Sequence, residues 1–133
     1  MARVSCLLAL LAVIVAGCSQ TASTRKKLEG EQAPNWPALQ ALRDEGGITT
    51  VGMGMQMEGP KAAAKAAAAP RFKELLDAFE KEAIPFSFST ANREAAKRDL
   101  VDSLRKIAAG GSDDEIKALW AKAQENLKTV GER

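Results

Sequence analysis

The chain has 133 residues, with 19 basic and 17 acidic side chains and a formal net charge of +2 at pH 7. This near balance argues against a nucleic-acid-binding protein, because such proteins concentrate positive charge. The chain contains no histidine and no tyrosine, and its only cysteines are Cys6 and Cys18. Histidine-based catalytic triads and metal sites with imidazole ligands are therefore excluded.

The N-terminus has the three-part layout of a secretory signal. Residues 1–5 carry one positive charge, Arg3, and residues 6–15 are an apolar run of Cys, Leu, Ala, Val and Ile, followed by small residues. About 20 apolar residues are needed to cross a bilayer as a helix, so this run is too short for a permanent span. We expect residues 1–17 to be a signal peptide that is removed.

The run ends in Val15, Ala16, Gly17 and Cys18, and these four residues resemble the lipobox of bacterial prolipoproteins. The resemblance implies cleavage before Cys18, a diacylglycerol on its sulfur and an acyl chain, commonly palmitate, on the new amino group. Two or three acyl chains hold a protein firmly at a membrane. A signal with an incidental cysteine is the alternative.

The lipoprotein resemblance also implies a cellular location and the absence of a free thiol. The protein would be anchored on the extracytoplasmic side of a cell membrane, and Ser19 favours the periplasmic face of the outer membrane if the cell is Gram-negative. Because Cys6 is removed and Cys18 is lipidated, the mature domain has no thiol for disulfides, zinc sites or nucleophilic catalysis. Residues 18–34 are the lipidated cysteine and a polar, flexible tether.

The first predicted elements after the tether lie in residues 35–60. Asn35 can cap a short helix that has Pro37 in its first turn and ends at Gly46 and Gly47. In residues 48–57, larger side chains then alternate with small or polar ones, a period of two that indicates an irregular, extended Met/Gly-rich segment. The larger residues of this segment are Val51, Met53, Met55 and Met57.

A helical domain is predicted over residues 61–133. It begins with an Ala-rich spacer helix over about 60–69, which is marginal alone because isolated helices need about 12 to 15 residues. Helices follow over about 71–84, 91–109 and 113–130, each with an apolar stripe at helical spacing. Thr90 is a predicted cap, and Ser112 with Glu115 forms a capping box. The fold class is all-α: a small three-helix bundle with the N-terminal short helix and the Met/Gly-rich segment packed on it.

One group of residues, three closely spaced methionines, suggests a metal site. Met53, Met55 and Met57 carry thioethers, which are soft ligands that select Cu(I), and Met-x-Met repeats are similar to those of copper-handling proteins outside the cytoplasm. Gly52 and Gly54 would let the backbone bend so that two or three sulfurs converge. The alternative is that these methionines fill space against the bundle.

The sequence thus predicts a membrane-anchored, non-enzymatic helical module that interacts with another envelope protein or the cell wall, and not with nucleic acid. Its support is the anchor on Cys18 and the missing catalytic residue types. The alternative function is a Cu(I) or Ag(I) buffer that uses Met53, Met55 and Met57 and needs no other cofactor. An exposed apolar strip on the folded domain would favour the interaction module.

Overall fold

A computed structural model describes residues 35–44 and 46–131 of the chain, and this part is all-α, with no strand among the described residues. The predicted signal peptide, Cys18 and the tether lie outside the described residues. A short 3-10 turn, Phe86–Phe88, connects two of the helices. In chain order the α-helices are α1 (Pro37–Arg43), α2 (Ile48–Met57), α3 (Pro60–Ala67), α4 (Pro70–Lys81), α5 (Ala91–Ala109) and α6 (Asp113–Gly131).

The two long helices, α5 and α6, begin where their caps predict. The Thr90 hydroxyl accepts a hydrogen bond from the Arg93 N–H at 3.2 Å. At the start of α6, the Glu115 carboxylate accepts from the Ser112 N–H at 3.0 Å, and the Ser112 hydroxyl accepts from the Glu115 N–H at 3.3 Å. These bonds satisfy N–H groups that have no partner inside a helix, and they confirm both predicted caps.

The apolar stripes of α4, α5 and α6 form most of the core. Trp36, which precedes α1, stacks on Phe79 of α4 with ring centroids 5.3 Å apart. The helix predicted over 71–84 ends at Lys81, and Ala83 of its predicted stripe is exposed. The other core residues of these three helices include Phe72, Leu75, Leu76, Ala96, Leu100, Val101, Leu104, Ile107, Ile116, Ala123 and Val130.

The Ala-rich helix α3 is an integral part of the bundle, so its prediction as a spacer was wrong. Ala63 and Ala67 are completely buried, and α3 packs against both long helices. Alanine allows helix axes to approach closely, which gives this short helix a place between longer ones. Helix α4, predicted to close the core against α5 and α6, packs mainly against α1 and α5.

The Met/Gly-rich segment is the helix α2, and its prediction as an irregular, extended segment was wrong. Ile48 and Val51 are buried and Met55 packs against the core, so the buried side chains follow a spacing of three and four. This spacing is the apolar stripe of a helix. The alternation of large and small residues that predicted an extended segment does not correspond to a strand here.

Candidate functional site

An apolar groove runs between α2 and α3 on the surface of the domain. Met53 and Met57 are 56% and 78% exposed and form the wall on α2, whereas the opposite wall, on α3 and the residues directly after it, is made of alanines and Lys65. The groove has a volume of about 470 Å³. Besides the two methionines, its lining residues are Thr50, Gly54, Glu58, Ala62, Lys65, Ala66 and Ala69.

Two glycines in α2 allow close packing, Gly54 against α3 and Gly52 against α6. A Cβ atom on Gly54 would lie 3.2 Å from the carbonyl carbon of Ala62 and 3.3 Å from the amide nitrogen of Ala63. A Cβ on Gly52 would lie 3.2 Å from the indole ring of Trp120. The missing side chains at Gly52 and Gly54 therefore serve close packing, and they do not bend the backbone as the sequence predicted.

The charge around the groove is distributed unevenly. Helix α2 has no charged residue, and its exposed side chains are Thr, Met and Gln. Helix α3 has two charged residues, Lys61 and Lys65, which are exposed and four residues apart, so they project from one face of the helix. The acidic side chain nearest in sequence, Glu58, lies at the turn between the two helices. The α3 side of the groove is thus basic, whereas the α2 side is uncharged up to Glu58, which lines the groove at the turn.

The helical backbone separates the three sulfurs of the predicted copper site. With 3.6 residues per turn, Met57 is displaced by about 40° around the helix from Met53, and Met55 by about 200°. Met53 and Met57 accordingly share the exposed face, whereas Met55 packs against the core. Two sulfurs can converge at this surface. A third ligand would have to come from another residue.

The exposed ion pairs of the domain stabilise local structure. Arg105 of α5 lies between Asp77, at 3.3 Å, and Glu80 of α4, and its hydrogen bond lowers the pKa of the Glu80 carboxyl. Lys106 contacts Asp102 one turn away at 2.7 Å, and this hydrogen bond lowers the pKa of Asp102. These acidic groups are already paired with cations. They are not arranged as a general acid and a general base.

A second depression, of about 510 Å³, lies at the turn between α5 and α6. It has an apolar floor that includes Leu119, and Lys106, Glu115 and Lys122 are at its edge. Lys106 is paired with Asp102, and Glu115 caps α6. Two of its three charged lining residues therefore have structural roles, and Leu119 is half-buried, in contrast to the exposed Met53 and Met57 of the groove.

Lys97 is a buried cation that the sequence analysis missed. It is 8% exposed, and its ammonium donates hydrogen bonds to the carbonyls of Glu80, at 3.1 Å, and Glu82, at the C-terminal end of α4. The same ammonium lies 5.5 Å from the centre of the Phe79 ring. Burial lowers the pKa of Lys97. Its spacing of three, four and seven from Leu100, Val101 and Leu104 was the available signal, because it places Lys97 on the apolar stripe.

The contacts of Lys97 indicate a structural function. The carbonyls at a helix C-terminus have no partner within the helix and carry partial negative charge, so a cation is favourable there. Lys97 supplies this cation across the connection from α4 to α5 and holds the two helices together.

Within the described residues, no group of three or more His, Cys, Asp and Glu side chains could hold a metal ion. None of the helices described is long and apolar enough to cross a membrane. Comparisons of the chain with protein-family models, with curated proteins and with solved structures found no match.

Proposed function

We propose that this protein is a lipid-anchored envelope protein whose helical domain binds another envelope component without catalysing a reaction. The observation that carries the proposal is the groove between α2 and α3, where Met53 and Met57 are exposed beside a wall of alanines. Large exposed apolar side chains around a groove are typical of interaction sites. Methionine suits such a site, because its flexible side chain adapts to the surface of a partner.

The chemistry of the chain supports a role in binding. The mature chain would have no imidazole and no free thiol, and the ion pairs of α4 and α5 are explained by local structure. The anchor on Cys18 would restrict the domain to the membrane surface and raise the local concentration of any partner there. The polar residues 19–34 would let the domain reach that partner.

In-cell photo-cross-linking tests the binding function. A photoreactive amino acid replaces Met57 in the full-length chain, and a control replaces Phe86, which is 99% exposed but lies outside the groove. We expect a discrete adduct from position 57 only, and a lower yield when Met53→Ser is added. Equal adducts from both positions, or none from position 57, would refute the binding function of the groove.

Membrane fractionation tests the anchor separately. We expect the wild-type chain in the membrane fraction with labelled palmitate incorporated, and Cys18→Ser without the label and released from the membrane. Cys6→Ser is the matched control, because Cys6 belongs to the expected signal peptide. Unchanged labelling of Cys18→Ser would contradict lipidation at this position.

A further inference from the structure

We infer that the groove between α2 and α3 binds an amphipathic helix of a partner protein and that this helix carries acidic residues along one flank. This inference rests on the proposed function, because it specifies the partner of the same groove. It is carried by the dimensions of the groove, the difference between its two walls and the charge of its rims.

The dimensions of the groove fit a short helical segment. Its lining runs from Thr50 to Glu58 on one wall and from Ala62 to Ala69 on the other. At 1.5 Å per residue, each wall is about 11 Å long, or roughly two helical turns. An amphipathic helix of this length presents apolar side chains at positions i, i+3, i+4 and i+7, the pattern by which helices bind in grooves.

The two walls favour a helix over other shapes of partner. On the α3 side, the alanines form a low surface, with Lys65 among them, against which a helical backbone can pack closely. On the α2 side, Met53 and Met57 form a taller, flexible wall that can fold over the apolar side chains of a bound helix. Gly54, where α2 lies close to the backbone of Ala62 and Ala63, supplies the floor. A third helix in this position would extend the helix-on-helix packing of the bundle.

The charged residues beside the groove determine which charges a bound helix should carry on each of its flanks. Lys65 lines the groove and Lys61 lies one turn before it on α3; both are exposed, and neither forms an ion pair in the described residues. A helix in the groove would place one flank beside these lysines and the other beside α2, where the one charged lining residue is Glu58 at the turn. Charge complementarity therefore favours acidic residues on the first flank and disfavours them on the second, beside Glu58.

Peptide binding to the full-length protein tests the inference. The lipidated chain is held in zwitterionic nanodiscs and titrated into two fluorescein-labelled 14-residue helical peptides that share a leucine stripe. One peptide has glutamates on a single flank, and the other has lysines at the same positions. Fluorescence anisotropy reports the dissociation constant, and empty nanodiscs give the background for each peptide.

We expect the acidic peptide to bind about tenfold more tightly at low salt, since two exposed ion pairs are replaced by two repulsions in the other complex. The double variant Lys61→Glu/Lys65→Glu should reverse this preference. Lys117→Glu/Lys128→Glu, which changes the net charge equally on α6 outside the groove, should retain it. Circular dichroism verifies that each variant remains helical.

Equal affinity for the two peptides, or a preference that both double variants change alike, overturns the inference. If neither peptide binds, it is also overturned. If Met53→Ser/Met57→Ser weakens both peptides equally and no charge preference exists, the acidic partner is refuted while the binding function stands. An adduct from position 57 to lipid or to a second copy of the chain would identify a different occupant.

Discussion

The surroundings of two glycines in α2, Gly52 and Gly54, predict different effects when each is replaced by alanine. Replacing glycine by alanine in the interior of a helix stabilises it by about 1 kcal/mol when the new methyl group has space. At Gly54 the added Cβ would lie 3.2 to 3.3 Å from the backbone of Ala62 and Ala63. At Gly52 the neighbour is the ring of Trp120, a half-buried side chain.

The two substitutions differ in whether the atoms next to the new methyl group can move away from it. Ala63 is completely buried, and α3 is held against α5 and α6, so its backbone cannot withdraw from a methyl group on Gly54. Overpacking of this kind costs about 2 kcal/mol. After the gain of about 1 kcal/mol in helix propensity, Gly54→Ala should destabilise the domain by about 1 kcal/mol. The Trp120 ring can shift, so Gly52→Ala should be neutral or stabilise the domain by up to about 1 kcal/mol.

Urea unfolding followed by circular dichroism at 222 nm measures both changes in the free energy of unfolding. For a domain of this size, 1 kcal/mol corresponds to a change in Tm of about 4–8 °C. If Gly54→Ala is stabilised by the full 1 kcal/mol, α2 and α3 are not in close contact and the groove lacks its floor. If both variants lose stability equally, the distinction between a backbone neighbour and a movable side chain is refuted.

Three other perturbations address the buried cation, the ion pairs and the methionines. Lys97→Met should lower the free energy of unfolding by about 2 kcal/mol, because it removes charge-assisted hydrogen bonds to the end of α4, while the exposed control Lys81→Met should have little effect in the same urea titration. Because Arg105 lowers the pKa of Glu80 below 4.5, the pair contributes stability above about pH 4.5 that is lost as the pH falls through the folded-state pKa. Thermal unfolding from pH 7 to pH 3 should therefore decline less steeply in Arg105→Gln, and an unchanged decline would contradict this coupling. For Cu(I), competition with a chromogenic chelator should give the same affinity for the wild type and for Met53→Leu/Met55→Leu/Met57→Leu; a large loss in the triple variant would establish the copper function instead.

The two long helices, α5 and α6, could be predicted because their sequences contain both an apolar stripe and recognisable capping residues. In α5 the stripe of Leu100 and Leu104 coincides with good helix formers, and Thr90 supplies a cap. In α6 the capping box stands directly before the stripe that begins at Ile116. Local propensity, periodicity and capping agree in these segments, and such agreement makes a helix predictable from one sequence.

The role of α3 could not be predicted because burial, rather than composition, determines it. The alanines of α3 give only a weak apolar signal, although Ala63 and Ala67 are completely buried where this helix packs in the bundle.

Lys97 was missed for a related reason. A lysine on an apolar stripe is usually interpreted as an edge residue, and the carbonyls of Glu80 and Glu82 that bind it belong to a different helix.

The error over α2 also changes the meaning of the methionines. In an extended segment, Met53, Met55 and Met57 would share one face, and a site with three sulfurs would follow from the period of two. In the helix, Met55 belongs to the core and the other two are left on the surface, beside Ala62 and Ala66. A folding requirement accounts for Met55, because it continues the stripe of Ile48 and Val51. Folding does not account for Met57, which is 78% exposed. In a domain without a partner, a polar residue would be favoured at such a position. Of the three large apolar side chains that are exposed in the described part of the chain, Phe86 lies in the connection between α4 and α5, and the other two line the groove on α2. Met53 and Met57 are therefore the positions at which substitution should affect binding more than stability.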